Sequence, residues 1–236
     1  MSKIPSSWTL HTIGTIHSCF PDKFGIPRQP GLAPHATATL TFCSPYDQAD
    51  MVRNLADYSH LWIQFIFHAH VGKGWKPLVR PPRLGGNTKS GVWATRSPFR
   101  PNPIGLSVVK LEHIEFTPIL RLYLRGIDLL DNTPVLDIKP YLGFVDHIPD
   151  AVSGFAEIPL RLQAVTFTPH AEQICQQHAL PYPHLKQLII EILQHSPQPA
   201  YIDDNARVYG FYLYHFNIRW KISHETIEVL AIETRI

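Results

Sequence analysis

Ile119-Leu120-Arg121-Leu122-Tyr123-Leu124-Arg125 sets leucine at every second position, so Leu120, Leu122 and Leu124 share one face of an extended segment. A period of two marks a strand with one side in a core. Ala36 to Phe42 (ATATLTF) interleaves threonine with small and apolar residues at the same period. Leu10 to Ser18 is rich in Thr and Ile, and Leu61 to His70 (LWIQFIFHAH) in aromatic and β-branched residues. Leu106 to Phe116 and Val135 to Ile138 extend the set, with turn chemistry supplied by Asp131-Asn132-Thr133-Pro134. One short helix is expected from Ser44-Pro45, with serine as cap, proline in the first turn, and Ala49, Val52 and Leu55 on one face. About six strands against one helix imply an antiparallel barrel or sandwich rather than alternating βαβ units.

Two loops interrupt these strands. Pro21 to Leu32 holds three prolines and two glycines, which is loop chemistry. Gly72 to Pro103 is rich in glycine and proline, with a short strand expected at Val92 to Thr95. Long irregular segments inside a compact domain are functional or disordered, and Trp75, Val79, Leu84, Trp93 and Phe99 argue for order.

The pattern changes between Asp146 and Pro159, which divides the chain into a β-rich domain, 1–150, and a small α+β domain, 151–236. The second part begins with a strand at Leu160 to Phe167 and a helix start at Thr168-Pro169. Leu185, Leu188, Ile189, Ile192 and Leu193 form a helical stripe, which Pro197 and Pro199 should end. Strands are expected at Tyr209 to His215, Ile218 to Ile222 and Thr226 to Ile232.

Composition agrees with this architecture. The 236 residues suffice for one large domain or one with an appendage. Twenty-two prolines exclude a fold dominated by long helices. At 44% hydrophobic and 17% charged residues the chain is not a disordered tail. Cys19, Cys43 and Cys175 are odd in number and widely spaced, matching neither a disulfide framework nor a four-thiolate zinc site, and free thiols suit a reducing cytoplasm. Met1 to Trp8 lacks an apolar signal-peptide core, and no apolar run of membrane-spanning length occurs. A soluble, cytoplasmic protein is expected.

The charges are unevenly distributed. Twenty-one Lys and Arg against 19 Asp and Glu leave a formal charge of only +2. Yet the 54 residues between Asp57 and Glu112 contain no acid, while holding Lys73, Lys76, Arg80, Arg83, Lys89, Arg96, Arg100 and Lys110. A nearly neutral chain thus concentrates positive potential in one segment, as a phosphate or polyanion site requires. In Arg96-Ser97-Pro98-Phe99-Arg100-Pro101-Asn102-Pro103 the prolines fix φ and hold two guanidinium groups ready for bidentate contact. The same logic applies to Arg28 between Pro27 and Pro30, and to Arg80 and Arg83 around Pro81-Pro82.

Other constellations allow alternatives. His68 and His70 lie two apart on an expected strand, facing one side, as a metal pair or as ordinary polar residues; no third ligand is nearby. Asp128 and Asp131 flank Leu129-Leu130 past a strand end, to bind ribose hydroxyls, act as a base, or stabilise a turn. The aromatic stretch Tyr209 to Trp220 reads as strand core or as a base-stacking platform. No G-x-G-x-x-G after a strand, G-x-x-x-x-G-K-[ST], G-x-S-x-G or H-E-x-x-H motif occurs, so Rossmann, P-loop and nucleophile-elbow chemistry lack support. The residues alone point to a β-rich domain that binds a phosphate-bearing or nucleotide ligand.

Five motifs in order carry a family resemblance: Pro27-Arg28-Gln29-Pro30-Gly31, Tyr58-Ser59-His60-Leu61-Trp62, Arg80-Pro81-Pro82-Arg83-Leu84-Gly85-Gly86, the run Ala94 to Gly105 (ATRSPFRPNPIG) and Asp137-Ile138-Lys139-Pro140-Tyr141. From about Gly14 to Asp146 the chain resembles the YaeB/TsaA-like family, and the tail from Leu160 resembles the C-terminal domain of its bacterial tRNA methyltransferase O branch. The resemblance implies a mainly β fold with a β-barrel catalytic domain, an S-adenosylmethionine cofactor, tRNA as partner, and a homodimer. The implied reaction is methylation of the N6 nitrogen of threonylcarbamoyladenosine at position 37, next to the anticodon. The rival readings are a non-catalytic S-adenosylmethionine or RNA-binding module and a small-metabolite methyltransferase of the same barrel family.

By similarity the cofactor site comprises Pro27, Arg28, Gln29, His68, Ala69, Arg96, Leu106, Asp128, Leu129, Leu130 and Asp131. Close bacterial relatives carry Gln where this sequence has Ala69. No general base is evident beyond Asp128 or Asp131, and no metal is expected. Arg80, Arg83, Lys89 and Arg100 are the candidates for tRNA phosphates or the threonyl carboxylate.

Overall fold

The computed structural model describes residues 6–157, 162–195, 207–223 and 226–234. In chain order the strands are β1 (Gly14–Ser18), β2 (Thr37–Phe42), β3 (His60–Ile66), β4 (Leu78–Val79), β5 (Ser90–Gly91), β6 (Ile104–Glu115), β7 (Arg121–Arg125) and β8 (Thr133–Pro140). The short helix α1 (Gly143–Asp146), strand β9 (Ala164–Phe167), helices α2 (Pro169–Gln177) and α3 (Leu185–Leu193), and strands β10 (Val208–Leu213), β11 (Phe216–Ser223) and β12 (Thr226–Thr234) follow.

Six strands close into a barrel in the order β1-β2-β7-β6-β3-β8, every pair antiparallel. Alternation decides which face turns inward: Leu122 and Leu124 of β7, Ala38 and Leu40 of β2, and Leu61 and Ile63 of β3 are buried. The barrel form settles the choice that period and composition left open. A separate sheet, β10-β11-β12-β9, is antiparallel except for the β12–β9 pair. Thr168 caps α2, its hydroxyl accepting from the Ala171 N–H at 3.2 Å, with Pro169 in the first turn. The α3 stripe, Leu185, Leu188, Ile189, Ile192 and Leu193, is wholly buried. The Pro197 and Pro199 stop and the first residues of the strand expected from Leu160 lie outside the described residues.

Three local expectations are corrected. No helix starts at Ser44: 3-10 turns span Ala49–Val52 and Leu55–Asp57, with Asn54 between them at φ 63°. A left-handed residue cannot continue a helix. Strand β3 ends at Ile66, opposite Ile104: the Pro103 carbonyl still accepts the Phe67 N–H at 2.8 Å, but Pro103 and Pro101 have no N–H to give back, so the ladder stops. His68–His70 is therefore a 3-10 turn rather than strand. Val92–Ala94 is likewise a 3-10 turn, with Val92 buried and Trp93 exposed.

The buried residues of barrel and C-terminal unit form one continuous apolar cluster. The Tyr214 N–H donates to the Cys19 carbonyl at 2.8 Å, and the Tyr214 and Thr37 hydroxyls meet at 3.1 Å. Tyr209, Phe211, Phe216 and Trp220 lie in this core, which answers the question left by the aromatic stretch. Burial pushes the Cys19 thiol up to about 12, leaving it protonated and inert.

Gly25, at φ +96°, lies where an added Cβ would stand 2.6 Å from the Phe211 ring. Gly25→Ala combines a disfavoured φ with overpacking at this junction, and should destabilise the protein by roughly 1–3 kcal/mol. Thermal denaturation of the purified variant checks this.

Candidate active site

Because the bore is filled, the concavity lies at the barrel rim, as a cleft of about 440 Å³. Four loops and the start of one strand build it. The β1–β2 loop supplies Lys23, Pro27, Arg28 and Gln29; the turn after β3 supplies His68, Ala69 and His70; the loop before β6 supplies Arg96 and Arg100. Leu106 and Ser107 come from β6, and Asp128 and Leu130 from the β7–β8 loop. The size falls in the range of about 300–1,000 Å³ typical of small-molecule sites.

Of the eleven cofactor-site expectations, nine residues line this cleft; Leu129 and Asp131 do not. Leu129 is a core residue. Asp131 ties the loop to β1: its carboxylate accepts the Ser18 N–H at 2.9 Å, and its own N–H donates to Phe20 O at 2.8 Å. The Asp131 carboxylate stays partly exposed and close enough to the cleft residue His68 for its charge to act on that imidazole. The segment alternates, sending Asp128 and Leu130 to the cleft and Leu129 to the core, while Asp131 stays partly exposed beside β1.

Asp128 accepts a 2.6 Å hydrogen bond from the Ser107 hydroxyl, and Ser107 itself is buried. Burial pushes the Asp128 carboxyl up to about 6, against the opposing effects of the Ser107 hydrogen bond and the Arg96 charge. It is thus an acid that changes state just below neutral pH. Ser107 escaped the sequence reading, although it stood as a polar residue in phase with the inward Val109 and Leu111 of β6. Lys23 was also missed: its ammonium donates to the Ala69 carbonyl at 2.9 Å. Ala69 thus offers the cleft a methyl group, with its carbonyl already engaged.

Positive charge surrounds Asp128. Arg96 donates to the Gln29 side-chain carbonyl, joining two walls of the cleft. Arg100 is pinned by the Thr95 carbonyl at 2.8 Å and sits over the Trp93 ring, so this candidate for nucleic-acid contact belongs to the cleft wall. Arg80, Arg83 and Lys89 lie on the excursion beyond the cleft lining. Arg83 is near enough to Arg28 to help depress its pKa, after burial, so cleft and excursion share one positive surface. Burial first, then the charge of Lys23, lowers the pKa of His68 and of His70, which keeps both imidazoles neutral near pH 7. Among the described residues no group of three His, Cys, Asp or Glu could hold a metal ion, and no helix is long and apolar enough to cross a membrane.

The raised Asp128 pKa has a stability consequence. Between about pH 4 and 6 the folded protein holds a proton that the unfolded chain has released, so stability falls as pH rises through that window. Asp128→Asn should raise the melting temperature by a few degrees at pH 8 and leave it unchanged near pH 4. Melting curves across that range test the assignment.

Comparison with known proteins gives this geometry a lineage. The sequence model of the tRNA-methyltransferase O N-terminal domain matches residues 15–147, and that of the TrmO C-terminal domain matches 160–235. The Escherichia coli tRNA (adenine(37)-N6)-methyltransferase is 45% identical over 236 residues, covering 98% of this chain and all of that protein. A Pseudomonas aeruginosa relative, 46% identical over 88% of this chain and 90% of its own length, is provisionally named an S-adenosylmethionine-dependent methyltransferase. The crystal structure of TrmO from Pseudomonas aeruginosa superposes with a TM-score of 0.81 at 39% identity, over 96% of this chain and 98% of that one. With both family domains matched in order over nearly its whole length, the chain belongs to the tRNA methyltransferase O family.

Proposed function

We propose that the protein is an S-adenosylmethionine-dependent tRNA (adenine(37)-N6)-methyltransferase, and that its substrate adenosine carries the threonylcarbamoyl group. The observation that carries this reading is the continuity of a cofactor-sized cleft with an acid-free cationic excursion, in a chain alignable end to end with the Escherichia coli enzyme. In this reading residues 1–150 hold the cofactor and 151–236 support that part; the enzyme works in the cytoplasm as a homodimer.

The donor set suits S-adenosylmethionine. Leu106, Leu130 and Pro27 give apolar surface for a base, Arg96 and Arg28 suit a carboxylate, and Asp128 suits a hydroxyl, an ammonium or a sulfonium. When bound, the cofactor supplies an electrophilic methyl group, which passes to N6 as its C–S bond breaks. The protein's own part is placement: rigid loops hold donor and acceptor for in-line transfer. The attacking nitrogen must lose its proton, and Asp128, ionised above about pH 6, is the carboxylate of the cleft suited to take it. Arg80, Arg83 and Lys89 meet tRNA phosphates, while Arg100, fixed in the cleft wall, meets the threonyl carboxylate or a phosphate nearby.

The test incubates the protein with S-adenosylmethionine and tRNA that either carries or lacks the threonylcarbamoyl group, and follows nucleosides by mass spectrometry. A methyl gain confined to the modified adenosine is expected. Cofactor binding without methyl transfer to either tRNA would favour a non-catalytic module or a small-metabolite methyltransferase. Arg96→Ala should weaken cofactor binding roughly tenfold in a folded protein, read by calorimetry. Arg83→Ala should weaken tRNA binding and flatten its dependence on log salt by roughly 0.7–0.9; titrations at several salt concentrations measure that slope.

A further inference from the structure

Glu191, on α3 of the C-terminal unit, is a charged side chain only 5% exposed. Its carboxylate reaches across to the barrel and holds a single residue twice. One oxygen accepts the backbone N–H of His35 at 3.0 Å, and the other accepts from the His35 Nδ1 at 2.6 Å. The His35 ring packs against that of His184, with centroids 4.4 Å apart. Gln187, one turn back on α3, donates to the same carboxylate at 3.4 Å.

A buried carboxylate is a poor way to stabilise a junction between two packed units, because desolvation offsets most of the attraction and apolar residues would pack as well. What it supplies is direction. His35 closes the loop that carries Pro27, Arg28 and Gln29, and the same loop is pinned at its middle by Gly31 N–H to Gly126 O at 2.8 Å. Gly126 in turn donates to Ala36 O at 2.9 Å and leads into the segment bearing Asp128. His195, just past α3, lies beside the Leu32 backbone and close enough to feel the charge of Arg28. Two walls of the cleft are therefore braced from a helix that contributes no residue to its lining.

We infer that Glu191 is a positioning residue of the methyl-donor site, holding the 27–36 loop at the pitch that lets Arg28 and Gln29 face the cleft. The inference rests on the proposed cofactor role of that loop. It gives the C-terminal unit a task in cofactor binding, in addition to any surface it offers to tRNA.

Glu191→Leu keeps helix propensity and burial but leaves the His35 N–H unpaired, while Glu191→Gln keeps an acceptor for it. In the ligand-free protein, amide hydrogen exchange over residues 27–36 should quicken in Glu191→Leu and stay near wild type in Glu191→Gln. In steady-state assays Glu191→Leu should raise KM for S-adenosylmethionine roughly tenfold, with kcat and the KM for tRNA within about twofold, and Glu191→Gln should restore it. Should Glu191→Leu not fold, His35→Ala, which loses the ring but keeps the backbone bond, should raise the same KM about threefold. Unchanged exchange, unchanged KM in a folded variant, or equal damage to every parameter overturns the inference. Absence of methyl transfer by the wild type instead sinks the functional proposal, while the exchange arm still judges the clamp.

Discussion

A barrel of six antiparallel strands has a bore too narrow for anything but its own side chains, since about eight strands are needed before an interior begins to admit a ligand. Ile16, Leu40, Leu61, Ile63, Leu122 and Leu124 fill that bore. Every ligand-binding group must then sit where loops leave the strands. The strands set the distances between those loops; the loops supply the chemistry. This division explains how a fold without a glycine fingerprint presents a cofactor-sized cleft: backbone and side chains from four loops converge on the start of β6, where Gly105 lies against the Phe65 ring and Ser107 faces inward.

Electrostatics completes the site. Arg28, Arg96 and Arg100 surround a cleft whose lining holds one carboxylate, Asp128, kept partly protonated near pH 6 by burial. The surrounding positive field favours anionic ligands at the mouth. The poised acid lies deeper, bonded to Ser107. Separating a cationic mouth from a titratable floor suits an enzyme that must attract a polyanion and then remove a proton from one of its bases.

Much of this was legible in the sequence. The leucines of Ile119 to Arg125 and the threonines of Ala36 to Phe42 gave their strands because burial on one side imposes a period of two. The acid-free segment and the Pro27–Gln29 motif marked two of the loops that line the cleft. What escaped was set by partners distant in sequence. The strand ending at Ile66 depends on the prolines before Ile104, and period alone carried it on through His70. The tie of Asp131 to the Ser18 N–H spans 113 positions of the chain. Glu191 stands between Ile190 and Ile192 with nothing local to mark it, and only the fold brings His35 to it across 156 positions.

In the proposed reaction, methyl donor and acceptor meet in the rim cleft. The most direct measurement is a crystal structure of the protein with S-adenosylhomocysteine and an anticodon stem-loop carrying threonylcarbamoyladenosine. Cofactor density is expected against Leu106 and Asp128, with N6 of the modified base facing the sulfur and the threonyl carboxylate within reach of Arg100. Cofactor bound away from this cleft, or an anticodon loop seated where its N6 cannot approach the sulfur, would contradict this placement.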